Sequence, residues 1–225
     1  MKSLFKFGVT SGYLHFNIAA PIPSPKVQND KAERLLSEHD VFKLIEAAGD
    51  AQKHNAENHR NKTLAKFLYY SAARVSEASE LIWERTRDRD DGQMQITIHG
   101  KGGKTRHVLL PKFLADDLRA LRDEAADSEP VFRSQKANAV SGMHPDALGA
   151  KAIKRIISMA ASRARIRKPV TPHWLRHAHI THSLDRGASM ATVRETVGHS
   201  NLSVTSIYSH AQPDDSSGLY LPTAG

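Results

Sequence analysis

Two stretches of this chain alternate apolar and polar residues, Met94–His99 (MQITIH) and Thr105–Leu110 (TRHVLL), and Gly100-Lys101-Gly102-Gly103-Lys104 stands between them. A period of two marks a strand with one buried face, and two such runs about a glycine-rich turn predict a β-hairpin with a lysine-bearing tip. Elsewhere the apolar residues recur with the helical period. Ser37-x-x-Asp40 is a helix-start pattern, and Val41, Leu44, Ile45 and Ala48 follow at helical spacing up to Gly49. Leu64, Phe67, Leu68, Ser71 and Ala72 keep the period, and Val75, Ala78, Leu81 and Ile82 continue it after a break around Ala73–Arg74. Further helices are predicted over Phe113–Ala126, Ala147–Arg163, Pro172–Leu184, Ser189–Val197 and Leu202–Tyr208, with a short extended piece at Pro130–Phe132. Pro172 suits a first helical turn, and Gly187 and Gly198 suit helix ends. The chain is therefore expected to be mainly α with a small antiparallel β-sheet (α+β).

Composition removes several classes of function. There is no cysteine among the 225 residues, which excludes a disulfide framework, a thiol nucleophile and Cys-ligated zinc. No apolar run approaches the roughly 20 residues of a membrane-spanning helix, and Met1–Phe7 lacks the apolar centre of a signal peptide. A cytoplasmic protein is expected. The net charge of +8 has a single source. From Ala147 to Leu184 the sequence holds eight Lys or Arg and no acid, while the rest holds 24 of each sign and cancels. A window that is basic and also apolar at helical spacing reads as a folded surface aimed at phosphates.

Upstream, Ala19-Ala20-Pro21-Ile22-Pro23-Ser24-Pro25 forbids helix and favours an extended linker. The aromatics before it (Phe5, Phe7, Tyr13, Phe16) are too few to bury themselves. They belong against a partner, or form a strap on the main domain.

The strongest local pattern is Thr171-Pro172-His173-Trp174-Leu175-Arg176-His177. On a helix His173 and Arg176 share a face, so an imidazole and a guanidinium can converge on one phosphate. Arg74, at the helix break before Val75-Ser76-Glu77, and Lys101, on the hairpin tip, seek the same kind of partner. His199 and Tyr208 lie further along, beyond Gly198.

Ala73-Arg74-Val75-Ser76-Glu77, Gly100-Lys101-Gly102-Gly103-Lys104, His173-x-x-Arg176-His177, Gly198-His199-Ser200 and Tyr208 resemble, in order and spacing, the active-site boxes of the tyrosine recombinases (phage integrase family). The resemblance covers about Leu35 to His210. It implies the tyrosine-recombinase catalytic-domain fold and a site-specific recombinase of integrase type, the kind found on mobile elements. Such an enzyme cleaves and rejoins DNA through a 3′-phosphotyrosyl intermediate without ATP, metal or other cofactor. Arg74 and Arg176 would hold the non-bridging oxygens, Lys101 would protonate the departing 5′ oxygen, His173 would assist proton transfer and His199 would hydrogen-bond the phosphate. Tyr208 would be the nucleophile, and Glu77 would orient Arg74. Lys151, Lys154, Arg155, Arg163, Arg165, Arg167 and Lys168 are the candidates for DNA-backbone contacts.

The resemblance also implies a double-stranded DNA partner, a tetramer on two DNA sites, a monomer in isolation, no membrane and a place on the nucleoid. Residues 1–36 would be linker and remnant of an N-terminal core-binding domain, 37–212 the catalytic domain and 213–225 a short C-terminal tail. Alternatives are a DNA-binding module of the same fold that does not cut, relaxation of DNA in the manner of a type IB topoisomerase, and a metal-dependent hydrolase using His177, His179 and His182. Those three histidines do not share one helix face, and no nearby carboxylate completes a metal set.

Overall fold

The protein is described by a computed structural model covering residues 2–22, 35–49, 55–100, 103, 105–134, 146–198 and 216–223. The chain divides into two units, Met1–Glu33 and Arg34–Gly225. In the first, helix α1 (Lys2–Thr10) is closed by Ser11, whose Oγ donates to the Phe7 carbonyl at 2.7 Å. Of the Ala19–Pro25 stretch expected to be extended, the described residues 19–22 form turns instead. Asn17 Oδ1 accepts the Ala19 N–H at 3.0 Å, a side-chain turn that the prolines alone do not announce.

The second unit begins as its sequence requires. Ser37 Oγ accepts the Asp40 N–H at 3.1 Å and caps α2 (Glu38–Ala48), which buries Val41, Leu44, Ile45 and Ala48. Helix α3 (Asn55–Ser71) buries Leu64, Phe67 and Leu68. It stops where Ala72 takes a φ of 50°, and the chain turns before the short α4 (Val75–Ser79). Leu81 and Ile82, expected to continue α4, leave the helix. The Leu81 carbonyl accepts the Val131 N–H at 2.9 Å and Ile82 bridges to Pro130, so pairing with a distant segment overrides the local period.

The hairpin forms at the predicted positions, β2 (Met94–His99) against β3 (Thr105–Leu110), with Met94 opposite Leu110 and His99 opposite Thr105. A third strand, β1 (Thr86–Asp88), adds to β2; its three residues, Thr-Arg-Asp, offer no alternation to read. Helix α5 (Lys112–Arg122) ends before Asp123, whose φ is 46°, short of the expected Ala126. Helix α6 (Ala150–Arg163) starts three residues later than expected, because Ala147 is bridged to Arg133. Helices α7 (Pro172–Asp185) and α8 (Met190–Val197) complete the bundle; Ser189 Oγ caps α8 by accepting the Thr192 N–H at 3.0 Å.

The core is shared by α2, α3, α5, α6, α7 and the inner face of the sheet, with Leu44, Phe67, Ile96, Leu118, Ile157 and Leu175 at its centre. The helix expected over Leu202–Tyr208 lies outside the described residues. Among those described, no helix is long and apolar enough to cross a membrane.

Two of the three clustered histidines serve the fold. His179 is fully buried, its Nδ1 2.7 Å from the Tyr69 carbonyl and its Nε2 2.7 Å from Ser217 Oγ. A carbonyl only accepts, so Nδ1 carries the proton and Nε2 accepts the Ser217 hydroxyl. By the same reasoning His182 donates from Nε2 to the Leu36 carbonyl (3.0 Å) and accepts the Tyr69 hydroxyl at Nδ1 (2.9 Å). The C-terminal residues Ser217–Tyr220 form one 3₁₀ turn, which the Ser217 N–H anchors to Thr196 Oγ1 at 3.0 Å. Gly218 sits so close to α3 that a Cβ there would stand 2.1 Å from the Tyr70 carbonyl oxygen.

Two outcomes follow from this packing. Burial pushes His179 down to about 4 and also lowers His182, so both are neutral in the folded state where the unfolded chain would bind protons. Stability is therefore complete above about pH 6.5 and declines as pH falls towards 4, with His179 alone contributing about 3 kcal/mol. Urea unfolding across that range measures the decline, which should shrink in His179→Gln. Gly218→Ala should cost about 1–3 kcal/mol, since backbone cannot yield, and should speed amide exchange at Ser217.

Candidate functional site

The break between α3 and α4 creates the first part of the site. Ala72 turns the chain, Arg74 follows in an extended conformation (φ −72°, ψ 155°), and its side chain projects from the N-terminus of α4. Glu77, one turn on, accepts the Arg74 backbone N–H on Oε2 at 2.7 Å and the Arg74 guanidinium on Oε1 at 2.8 Å. A second cation reaches the same carboxylate from β3: Arg106 donates to Oε2 at 2.7 Å and to Oε1 at 3.1 Å, and its Nε donates to the Thr196 carbonyl at 2.8 Å. Burial alone would raise the Glu77 pKa, but the bonds from Arg106 and Arg74 outweigh it and hold the carboxyl at about 2.

Arg176 comes from the first turns of α7 and is 3% exposed. One terminal nitrogen donates to the Ala72 carbonyl and the other to the Val197 carbonyl at 2.7 Å. Burial, with Arg74 and Arg106 nearby, lowers its pKa to about 10, which leaves it charged at neutral pH. His173 lies one turn earlier and is exposed, with Nε2 2.9 Å from His177 Nε2 and the two rings edge to face at 4.3 Å.

Arg74, Ser76, Lys154, Thr171, His173 and Arg176 line one pocket of about 520 Å³. The N-terminal end of α7 opens into it, adding the positive end of a helix dipole to three cationic side chains. Such a lining suits a phosphate diester: forked guanidinium donors for non-bridging oxygens and an imidazole able to give or take a proton. A second hollow of about 430 Å³ beside β1, lined by Arg87, Asp88, Arg89, Asp90, Asp91 and Gln95, mixes both signs of charge and converges on nothing. Among the described residues no group of three His, Cys, Asp or Glu is arranged to hold a metal ion.

Of the residues singled out in the sequence, Arg74, His173 and Arg176 are thus brought to one pocket, with Glu77 behind Arg74. Lys101, His199 and Tyr208 lie outside the described residues. Gly198, the last described residue before His199, has a φ of 67°, and Arg106 Cδ stands 3.0 Å from where its Cβ would be. A side chain here would be strained in φ and would press on Arg106.

The basic window separates into parts. Lys151, Lys154 and Arg155 are exposed on α6, and Arg165 and Arg167 are exposed after it. Arg163 instead donates to the carbonyls of Ala47 (2.8 Å) and Ala48 (3.4 Å), closing the C-terminal end of α2, half a helical turn round α6 from Lys154. Lys168 donates to the Leu35 carbonyl at 3.1 Å. These two remain exposed but are also tied to the fold, because free carbonyls at a helix end or in a connection draw the nearest long cation.

His177, named in the sequence with the His173 box and as a possible metal ligand, stands beside His173 four residues away. One residue at the site escaped the sequence reading. Arg106 shares parity with the buried Val108 and Leu110 on β3 and stands opposite the buried Ile98. A charged residue at an inward position demands a buried counter-ion, and that was the available signal.

Residues 34–215 match the sequence model of the phage integrase family. A tyrosine recombinase of Thermosipho africanus is 34% identical over 212 residues, covering 93% of this chain and 68% of that protein. Among solved structures, the XerA recombinase shares the fold with a TM-score of 0.60 at 24% identity, over 96% of this chain and 70% of that one. The post-cleavage complex of the XerH site-specific recombinase with a palindromic difH substrate does so with a TM-score of 0.67 at 23% identity, over 83% of this chain and 52% of that one. With the boxes in order and the fold in common, the chain belongs to the phage integrase family, tyrosine recombinases that break and rejoin DNA strands.

Proposed function

We propose that this chain is a site-specific recombinase of double-stranded DNA that works through a 3′-phosphotyrosyl intermediate, with residues 37–212 as its catalytic domain. The observation that carries the reading is the convergence of Arg74, His173 and Arg176 on one pocket beside a helix N-terminus. A phosphodiester attacked by a hydroxyl gains negative charge on its non-bridging oxygens, and two preorganised guanidiniums answer that charge where a metal would elsewhere. On this reading Tyr208 Oη attacks phosphorus, its proton passing towards His173, while the bond from phosphorus to the 5′ oxygen breaks and Lys101 supplies the proton that oxygen needs. His199 hydrogen-bonds the phosphate. The ester to Tyr208 conserves the bond, so the 5′ hydroxyl of another strand can reseal it without ATP, and four copies on two sites complete an exchange.

The test uses a pool of nicked duplexes of varied sequence, in EDTA, which traps a covalent intermediate wherever the preferred site occurs. Wild type should give protein–DNA adducts that survive detergent, and Tyr208→Phe none; an equal yield from both would refute the tyrosine mechanism. Lys154→Ala and Arg155→Ala should each reduce the salt slope of DNA binding by about one. Arg163→Ala should leave that slope alone and cost about 1 kcal/mol of stability, the worth of a helix-end hydrogen bond.

A further inference from the structure

Glu77 has room for four hydrogen bonds, and four donors fill it. Oε1 receives the guanidiniums of Arg74 (2.8 Å) and Arg106 (3.1 Å); Oε2 receives the Arg74 backbone N–H (2.7 Å) and Arg106 (2.7 Å). The two arginines share it unequally. Arg106 takes both oxygens with its fork, whereas Arg74 gives a single guanidinium nitrogen and is 41% exposed at the mouth of the pocket. Its remaining guanidinium N–H groups have no partner among the described residues. Arg106 itself is 9% exposed along its side chain and does not line the pocket.

Without Arg106, two acceptor sites on a buried carboxylate would open beside the one guanidinium already in reach. Forked pairing is the preferred geometry of arginine with a carboxylate, and a buried charge that has lost a partner draws its surviving one closer. The Arg74 fork would then turn inward, onto Glu77 and away from the pocket. We propose that Arg106 is a positioning residue: by saturating Glu77 it keeps the Arg74 guanidinium available to a phosphodiester in the pocket. Its Nε bond to the Thr196 carbonyl adds a tether between the hairpin and the end of α8, beside the Val197 carbonyl that holds Arg176. The phosphodiester in this statement rests on the function proposed above; the competition for Glu77 does not.

The experiment titrates the full chain with inorganic phosphate and follows the Nε–H signals of Arg74 and Arg176 by NMR, with adduct yield measured in parallel. Arg106→Gln should weaken the phosphate response of Arg74 by about tenfold, the scale of one lost forked contact. Adding Glu77→Gln, which removes the competing charge but keeps an acceptor for the Arg74 N–H, should restore most of that response. A role confined to holding the fold predicts that the double variant is no better than the single one, and that result would overturn the proposal. An Arg74 response unchanged in Arg106→Gln would overturn it as well. If Arg106→Gln does not fold, Arg106→Lys takes its place, keeping the charge without the fork; a weakened response that Glu77→Gln relieves supports the proposal, and one it does not relieve refutes it. Loss and rescue in the titration, with no Tyr208-dependent adduct from wild type, would leave the positioning role standing and remove the recombinase mechanism.

Discussion

The second unit is organised around a buried cation. Arg176 is almost wholly removed from water, and its guanidinium is accepted by the carbonyls of Ala72, just past the end of α3, and Val197, the last residue of α8. An unpaired charge in that position would cost several kcal/mol. The chain places it where two helices end and their unsatisfied carbonyls present partial negative charge. Three elements are thereby held at one point, and the left-handed turn at Ala72 is held by the same bond that solvates the buried arginine. Two residues beyond Ala72 stands Arg74, so the anchoring of one guanidinium sets the direction of the other.

Helix α7 divides its work by face and by depth. His173 and Arg176, in its first turns, meet the pocket, while His179 and His182, one and two turns further along, point into the protein and hydrogen-bond Tyr69, Leu36 and Ser217. The histidines that suggested a metal cluster in the sequence have both ring nitrogens of two members engaged in these contacts. Their burial in the neutral form ties the stability of the bundle to the docking of the C-terminal 3₁₀ turn, since Ser217 completes the His179 pair. The residues described before and after the segment holding His199 and Tyr208 are both fastened to this framework, Gly198 beside Arg106 and Ser217 on Thr196 and His179.

Much of the architecture was legible because it is written in short-range chemistry. Ser37 before an acidic first turn, Pro172 at the start of α7, Ser189 and Gly198 on either side of α8, and the alternation on β2 and β3 each act within a few residues, and each forms where it was read. The failures share a cause. Leu81 and Ile82 keep the helical period yet pair with Pro130 and Val131; β1 is recruited by β2; Ala147 is bridged to Arg133. In each case a partner in another element supplied pairing that local propensity could not anticipate. The basic window shows the same limit: charge can be counted along a chain, but that Arg163, while exposed, also reaches the end of α2 depends on where α2 has packed.

The sequence by itself determined which chemistry this protein has to offer. The boxes around Arg74, His173 and Arg176, the excess charge between Ala147 and Leu184, and the absence of cysteine are facts of composition and order. Their pattern placed the chain in its family. Only the tertiary structure decided how those groups are balanced against one another. That Arg106 on β3 and Arg74 before α4 share a single carboxylate, and that the Arg176 guanidinium is hydrogen-bonded by two helix ends, depend on contacts between residues 21 to 104 positions apart. Hydrogen bonding is decided by distance in space, and sequence spacing fixes that distance only within one element.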